Sequence, residues 1–147
     1  MTVPSAKLTA VTLGVRDLAA SARFYEALGF QRKFRATGDQ IVFLDGGGVV
    51  LALWDQDKLA EDTGLPEQLR PRTFRGATLA WNCATRAEVD AVFAKAVDAG
   101  ANLLREPEST DYGGYRGYFS DLDGHAWEVV QAPGFTFTED GRLILPA

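Results

Sequence analysis

An internal repeat is the feature that most constrains how this chain can fold. Residues 43–54 align without a gap on residues 119–130, and each copy has an aromatic residue, an Asp and a Gly at the same spacing. This spacing, followed by an apolar run, predicts a strand, a tight turn and a second strand in each copy. Repeated modules can form a cleft in which equivalent positions contact one ligand. The second copy has Glu128 where the first has Ala52, so a carboxylate is expected from only one copy.

The residues before the first copy predict a strand and an amphipathic helix. A β-rich apolar stretch at 8–15 predicts the first strand. Asp17 is a typical N-cap, and apolar residues at helical spacing extend to Gly29, which predicts a helix at about 18–28. Further strands are predicted at about 30–36, 40–44 and 49–54. The first module is therefore β-α-β-β-β.

The second half of the chain predicts the same order of elements. A strand is expected at 77–83, and Thr85 with Glu88 has the spacing of a capping box that starts a helix at about 86–99. Gly100 ends that helix, and the remaining strands are predicted at about 102–105, 114–120 and 125–130. The second module is also β-α-β-β-β.

Two modules of this size fit in one domain of 147 residues. The predicted fold is α+β, with curved mixed sheets around a cleft and the helices on the outer faces. Module one covers about 7–54, a linker about 55–75, and module two about 76–132. A short helix is predicted at 56–62, and the linker is expected to cross the cleft or simply join the modules. The turn signal Asp140-Gly141 predicts a hairpin in residues 133–147.

Composition and charge narrow the class of partner. The formal net charge is −5 without a cluster of Lys or Arg, which disfavours nucleic acid and mildly favours a cationic small molecule. The chain lacks the roughly 20 consecutive apolar residues of a membrane span, and its first residues do not have the pattern of a signal peptide. With Cys83 as the single cysteine, a reduced cytoplasmic protein without membrane association is expected.

The motifs VTLGVRDLAASARFYEALGF and YFSDLDGHAWEVV resemble those of the vicinal oxygen chelate superfamily, which includes glyoxalases, bleomycin resistance proteins and extradiol dioxygenases. The resemblance covers about residues 7–132. In metal-dependent members it implies four ligand positions, occupied here by Ala10, Ala52, Thr78 and Glu128. Only the carboxylate is a strong donor, since methyl groups have no lone pair and a Thr hydroxyl is a poor ligand. We therefore expect no functional metal and no cofactor.

Strand alternation predicts which side chains face the cleft, because residues of the same parity share a face. Trp54 is expected to face inward as an aromatic platform, whereas Trp81 and Trp127 face the helices. Glu128 would either pair with an Arg on the next strand or recognise a cationic ligand. Resemblance to fosfomycin-resistance proteins implies that the penultimate strand contributes as well. The predicted ligand-binding residues are Trp54, Thr78, Asn82, Arg116, Tyr118 and Glu128.

These observations favour a metal-free small-molecule-binding protein that sequesters an aromatic or cationic compound. Bleomycin resistance proteins act in this manner in the family that the chain resembles, and the resemblance also implies a homodimer. The alternative is a lyase, dioxygenase or isomerase-type enzyme with a degenerate or non-metal site, in which Glu128 acts as a general base. A third hypothesis is a site that has become purely structural.

Overall fold

Both modules have the predicted β-α-β-β-β order. The computed structural model describes residues 5–65 and 73–147. Module one contains β1 (Ala10–Val15), α1 (Leu18–Ala27), β2 (Gln31–Lys33), β3 (Ile41–Asp45) and β4 (Val50–Asp55), and α2 (Gln56–Thr63) follows it. Module two contains β5 (Leu79–Asn82), α3 (Arg86–Asp98), β6 (Asn102–Ser109), β7 (Tyr115–Ser120) and β8 (Ala126–Gln131). A two-stranded ribbon, β9 (Thr136–Phe137) and β10 (Leu143–Ile144), follows module two.

Each module has one four-stranded mixed sheet, and the two sheets have equivalent strand orders. The orders are β1-β4-β3-β2 and β5-β8-β7-β6. The first and last strands of each module pair in parallel, and the other neighbours are antiparallel. Thr12 lies opposite Ala52 in one sheet, and Ala80 lies opposite Glu128 in the other. The α+β fold with mixed sheets, predicted from the repeat, is confirmed.

The helices begin where the capping residues predict. The Asp17 side chain accepts a hydrogen bond from the Ala20 N–H at the start of α1, and Thr85 and Glu88 form the predicted capping box of α3. α1 ends before Gly29, whose φ of 105° is readily adopted only by glycine. No helix in residues 5–65 and 73–147 is both long and apolar enough to cross a bilayer.

The predicted strand at 30–36 is too long. β2 ends at Lys33 because Phe34 has a φ of 51°, which is incompatible with continued β-pairing, and a short 3-10 turn at Arg35–Thr37 follows. β6 extends to Ser109, beyond the predicted end at 105, through two shifts of register against β7. Shifts of this kind interrupt the regular alternation from which strand ends are recognised.

The linker contains the predicted helix, here α2, and its N-cap is Asp55, which accepts hydrogen bonds from the N–H groups of Asp57 and Lys58. Residues 66–72 of the predicted linker lie outside the described part of the chain. The predicted C-terminal hairpin is present as the β9–β10 ribbon. The ribbon reaches module one, since a Cβ placed on Gly48 would lie 3.2 Å from Arg142 Cγ.

A continuous hydrophobic core joins the two modules. Tyr25 on α1 is fully buried, and its ring contacts Trp127 on β8. Phe30 contacts Trp81 and Trp127, so both tryptophans lie on the helix side of their sheet, as strand alternation predicts. The Tyr25 hydroxyl donates to Asp121 Oδ2 at 2.6 Å and accepts from Trp127 Nε1 at 3.1 Å. Module two is thereby fixed to α1 of module one.

Candidate functional site

Glu128 lies at the centre of the sheet face of module two that points away from the helices. It lies opposite Ala80 on β5 and Tyr118 on β7. The Tyr118 hydroxyl donates a hydrogen bond to Glu128 Oε2 at 3.1 Å. Burial is the main cause that raises the pKa of Tyr118, and the hydrogen bond to Glu128 is the second. The phenol therefore stays protonated at neutral pH and remains a hydrogen-bond donor.

A cavity of about 390 Å³ opens over this face, and we call it the Glu128 cavity. Asn82 and Glu128, both expected from strand parity, line it together. Part of its wall is aromatic and comes from segments outside the regular strands. The lining residues are Asn82, Tyr112, Glu128, Val130, Ala132, Pro133 and Phe135.

The contribution of the C-terminal segment was missed by sequence reasoning. Pro133 and Phe135 follow β8 and carry no periodic pattern, so parity gives them no face. The one available signal was position, because a segment that leaves the end of β8 starts beside the residues of that strand. Tyr112 precedes Gly113-Gly114 and also lies outside the regular strands, so alternation gives it no face.

Arg116 lies beside Glu108, whereas one of the two expected alternatives paired it with Glu128. Its Nη1 donates to Glu108 Oε1 at 3.4 Å, and its guanidinium lies 5.9 Å from the centre of the Tyr118 ring. Hydrogen bonding from Arg105, with a smaller effect of Arg116, lowers the pKa of Glu108. In the structure, Glu108 on β6 is thus the carboxylate within ion-pair distance of Arg116.

Trp54 and Thr78 are not placed on the Glu128 cavity. Trp54 is half-buried at the end of β4, in register with Gly14 on β1 and Ile41 on β3. Thr78 is exposed immediately before β5. The structure thus brings together Asn82, Tyr118 and Glu128, with Arg116 beside them, and leaves Trp54 on the sheet of the other module.

Comparison with known proteins agrees with this architecture. The family model of the Glyoxalase/Bleomycin resistance protein/Dioxygenase superfamily matches residues 7–129. The chain belongs to this superfamily. A glyoxalase-related enzyme from Fulvimarina pelagi is 37% identical with a TM-score of 0.85, over 96% of this chain and 99% of that chain. A superfamily member from Nocardioides is 28% identical with a TM-score of 0.72, over 90% and 88% of the two chains. No curated protein matches the chain.

The residues at the metal-ligand positions implied by the superfamily do not fit a metal ion. Ala52 is almost fully buried on β4 and offers only a methyl group, as does Ala10 on β1. Thr78 is exposed, which leaves Glu128 as the one strong donor of the four. Among the described residues, no group of three or more His, Cys, Asp or Glu side chains could hold a metal. One carboxylate is too few ligands for a stable divalent site.

His125 has a structural role at the contact between the modules. Its Nε2 donates to the Gly14 carbonyl at 2.8 Å, and Arg75 lies 3.3 Å from its Nδ1. Its backbone N–H donates to Asp121. The superfamily motif that contains this histidine therefore fixes the β7–β8 turn to the end of β1.

Cys83 is buried in the core directly after β5, which ends one residue before the predicted strand end at 83. Burial, with a smaller effect of Glu88, raises the pKa of its thiol to about 11. The thiolate fraction is therefore small at neutral pH, which argues against a nucleophilic role.

Proposed function

We propose that this chain is a metal-free small-molecule-binding protein of the superfamily, which sequesters an aromatic or cationic compound in the Glu128 cavity. One observation carries the proposal: the Glu128 carboxylate lines a partly aromatic cavity, and within residues 5–65 and 73–147 its hydrogen-bond partner is Tyr118 rather than a basic residue. A carboxylate in such a place can recognise a ligand cation.

The charge and the aromatic lining of the cavity support a planar cation. A carboxylate has about four lone-pair sites, so the bond from Tyr118 leaves most of them for a ligand N–H. The rings of Tyr112 and Phe135 supply faces on which a cation or a planar ring can pack. The net charge of −5 adds a weak long-range attraction in the same direction.

Binding of the planar cation proflavine tests this proposal. We expect Glu128→Gln to weaken binding about tenfold, because the substitution removes the charge and keeps the shape, and about 1.4 kcal/mol corresponds to that factor. Neutral acridine at the same pH should be affected much less. A titration of metal-free protein followed by proflavine fluorescence measures the affinity for proflavine. Displacement of bound proflavine by acridine measures the affinity for acridine.

Glu26→Gln is the matched control, since Glu26 is an exposed residue of α1 and its substitution changes the net charge equally. An equal effect of the two substitutions would show only long-range electrostatics and would contradict the proposed site.

We also propose ligand contacts on the sheet faces of the two modules by Trp54, Thr78 and Arg116. Because Trp54 does not line the Glu128 cavity, Trp54→Ala tests whether its sheet face takes part in binding, and about tenfold weaker binding of proflavine would show stacking on the indole. Unchanged affinity would assign the aromatic contact to Tyr112 and Phe135 instead. A homodimer in the cytoplasm belongs to the same proposal, and light scattering at micromolar concentration tests the assembly.

An enzyme is the second candidate, and the hydrogen bond between Tyr118 and Glu128 favours it. A protonated phenol that is hydrogen-bonded to a carboxylate places a proton donor beside a general base on this face of the sheet. The likeness to the glyoxalase-related enzyme of Fulvimarina pelagi points the same way. The test is turnover of the methylglyoxal–glutathione adduct by metal-free protein, followed by ultraviolet absorbance. Activity that Glu128→Gln abolishes would favour the enzyme over the sequestering protein.

A further inference from the structure

A larger cavity lies where the two modules meet, and we call it the seam cavity. Its volume is about 670 Å³, within the roughly 300–1,000 Å³ that is typical of small-molecule sites. Its walls come from the β3–β4 turn and strands of module one, from β5 of module two and from the β9–β10 ribbon. Of the described residues that line it, only Asn82 also lines the Glu128 cavity.

The walls of the seam cavity are mainly hydrocarbon and aromatic. Val11 and Leu51 line it from module one, and Trp81 from module two. Its charged lining residues are Asp45 and Arg142, which have opposite signs and local partners. Asp45 Oδ1 accepts from the Gly47 N–H, and Arg142 Nε lies 3.4 Å from Asp140. The lining therefore gives no net preference for a charged ligand.

The C-terminal ribbon presents an apolar pair to this cavity. Phe137 and Leu143 lie opposite each other in the β9–β10 pairing, and both line the cavity. The next pair, Thr136 and Ile144, does not line it. Leu143 remains 37% exposed, so a bound apolar molecule would remove further hydrocarbon surface from water.

We infer that the seam cavity binds an uncharged, largely apolar small molecule, aromatic or aliphatic, at a site separate from the proposed Glu128 site. The volume suits one such molecule, and the two modules and the ribbon line it together. Apolar burial supplies the binding free energy, and the Asn82 amide is an uncharged polar group that can orient the ligand.

Binding of the neutral fluorophore N-phenyl-1-naphthylamine tests this inference. We expect saturable binding with energy transfer from the tryptophans, because Trp81 and Trp127 line the cavity. Trp81→Phe should reduce the transfer substantially. Trp54→Phe, which removes an indole from a residue that does not line the cavity, should leave most of it.

Leu143→Asp should weaken binding about tenfold, because it places a charge on the apolar wall. Ile144→Asp is the matched control, a neighbour on the same strand that is 45% exposed and does not line the cavity, and it should change the affinity less than about twofold. If both aspartates weaken binding equally through loss of the ribbon, Val50→Trp decides. Its indole would fill the cavity from module one and should abolish binding.

Besides competition between the two probes, three outcomes would overturn the inference: absence of saturable binding, unchanged energy transfer in Trp81→Phe, or full binding by Val50→Trp. Failure of the proposed function gives a different result. Glu128→Gln should leave the affinity for N-phenyl-1-naphthylamine unchanged, and Leu143→Asp should leave the affinity for proflavine unchanged. Mutual competition of the two probes would show one site instead of two.

Discussion

Tyr25 and Asp121 are the two residues that best explain why the sequence motifs of the halves occur together. Tyr25 belongs to the segment RFYEALGF and Asp121 to YFSDLDG. They are joined by a buried hydrogen bond of 2.6 Å between different modules. Asp121 also accepts from the N–H groups of Asp123 and His125, which shapes the β7–β8 turn. A buried carboxylate needs such partners, since an unpaired one is costly.

Tyr25→Phe should therefore destabilise the protein by about 1–3 kcal/mol, the range for a buried polar group that loses its partner. Urea unfolding followed by circular dichroism measures the change. Tyr115→Phe is the matched control, because Tyr115 makes the same kind of bond to Asp90 at 2.7 Å on the exposed side of the molecule. Its effect should be much smaller, and equal effects would contradict the importance of burial.

Because the pKa of the Tyr25 phenol is raised in the folded state, we expect the protein to lose stability at alkaline pH. Burial first, and then the charge of Asp121, raises the pKa of Tyr25 well above 10.0. The folded state thus holds this proton more tightly than the unfolded state. Its contribution is fully present below about pH 10 and is lost as the pH rises toward the folded pKa. Urea midpoints between pH 9 and 11 should fall more steeply for the wild type than for Tyr25→Phe, and parallel curves would contradict this.

The sequence identified the residues of the Glu128 cavity only where a regular strand carried them. Alternation placed Asn82, Tyr118 and Glu128 on one face because β5, β7 and β8 pair there without a shift of register. Alternation did not predict that Phe135, which lies outside a strand, lines the cavity. It also did not predict the pairing of Arg116 with Glu108. That pairing depends on a register shift in β6 that no local pattern shows.

At the scale of elements, the helix starts were the most predictable features because capping chemistry is local. α3 begins with a reciprocal box, in which Thr85 Oγ1 accepts from the Glu88 N–H at 3.1 Å and Glu88 Oε2 accepts from the Thr85 N–H at 3.3 Å. Strand ends were less predictable, since β2 is ended by the backbone of Phe34, whose residue type does not indicate a positive φ.

Thr85→Ala should destabilise the protein by about 1 kcal/mol, the typical cost of losing an N-cap side chain. Thr85→Ser, which retains the hydroxyl, should restore most of the stability. Thermal unfolding of the two variants beside the wild type measures both effects. Equal destabilisation by Ala and Ser would show that the methyl group of Thr85, and not its hydroxyl, matters.

At the scale of the whole molecule, the two modules share a core instead of folding as independent units. The ring contacts from α1 and from Phe30 to the tryptophans of module two cross the boundary between modules. The backbone N–H of Arg16 donates to Asp123 Oδ1 at 2.9 Å at the same boundary. A module that unfolded alone would expose its half of this core and leave the buried Asp121 without Tyr25.

We therefore expect one cooperative unfolding transition for the whole chain. Trp54 lies on module one, and Trp81 and Trp127 on module two, so fluorescence of Trp54→Phe reports module two while far-UV circular dichroism reports both. The two urea curves should coincide, as two-state unfolding requires. His125→Ala, which removes the side-chain bond to Gly14, should lower the midpoint without separating the curves. A shared core has no boundary at which one half can remain folded after the other has unfolded. Two resolved transitions in the wild type would therefore contradict a shared core and show that the modules unfold independently.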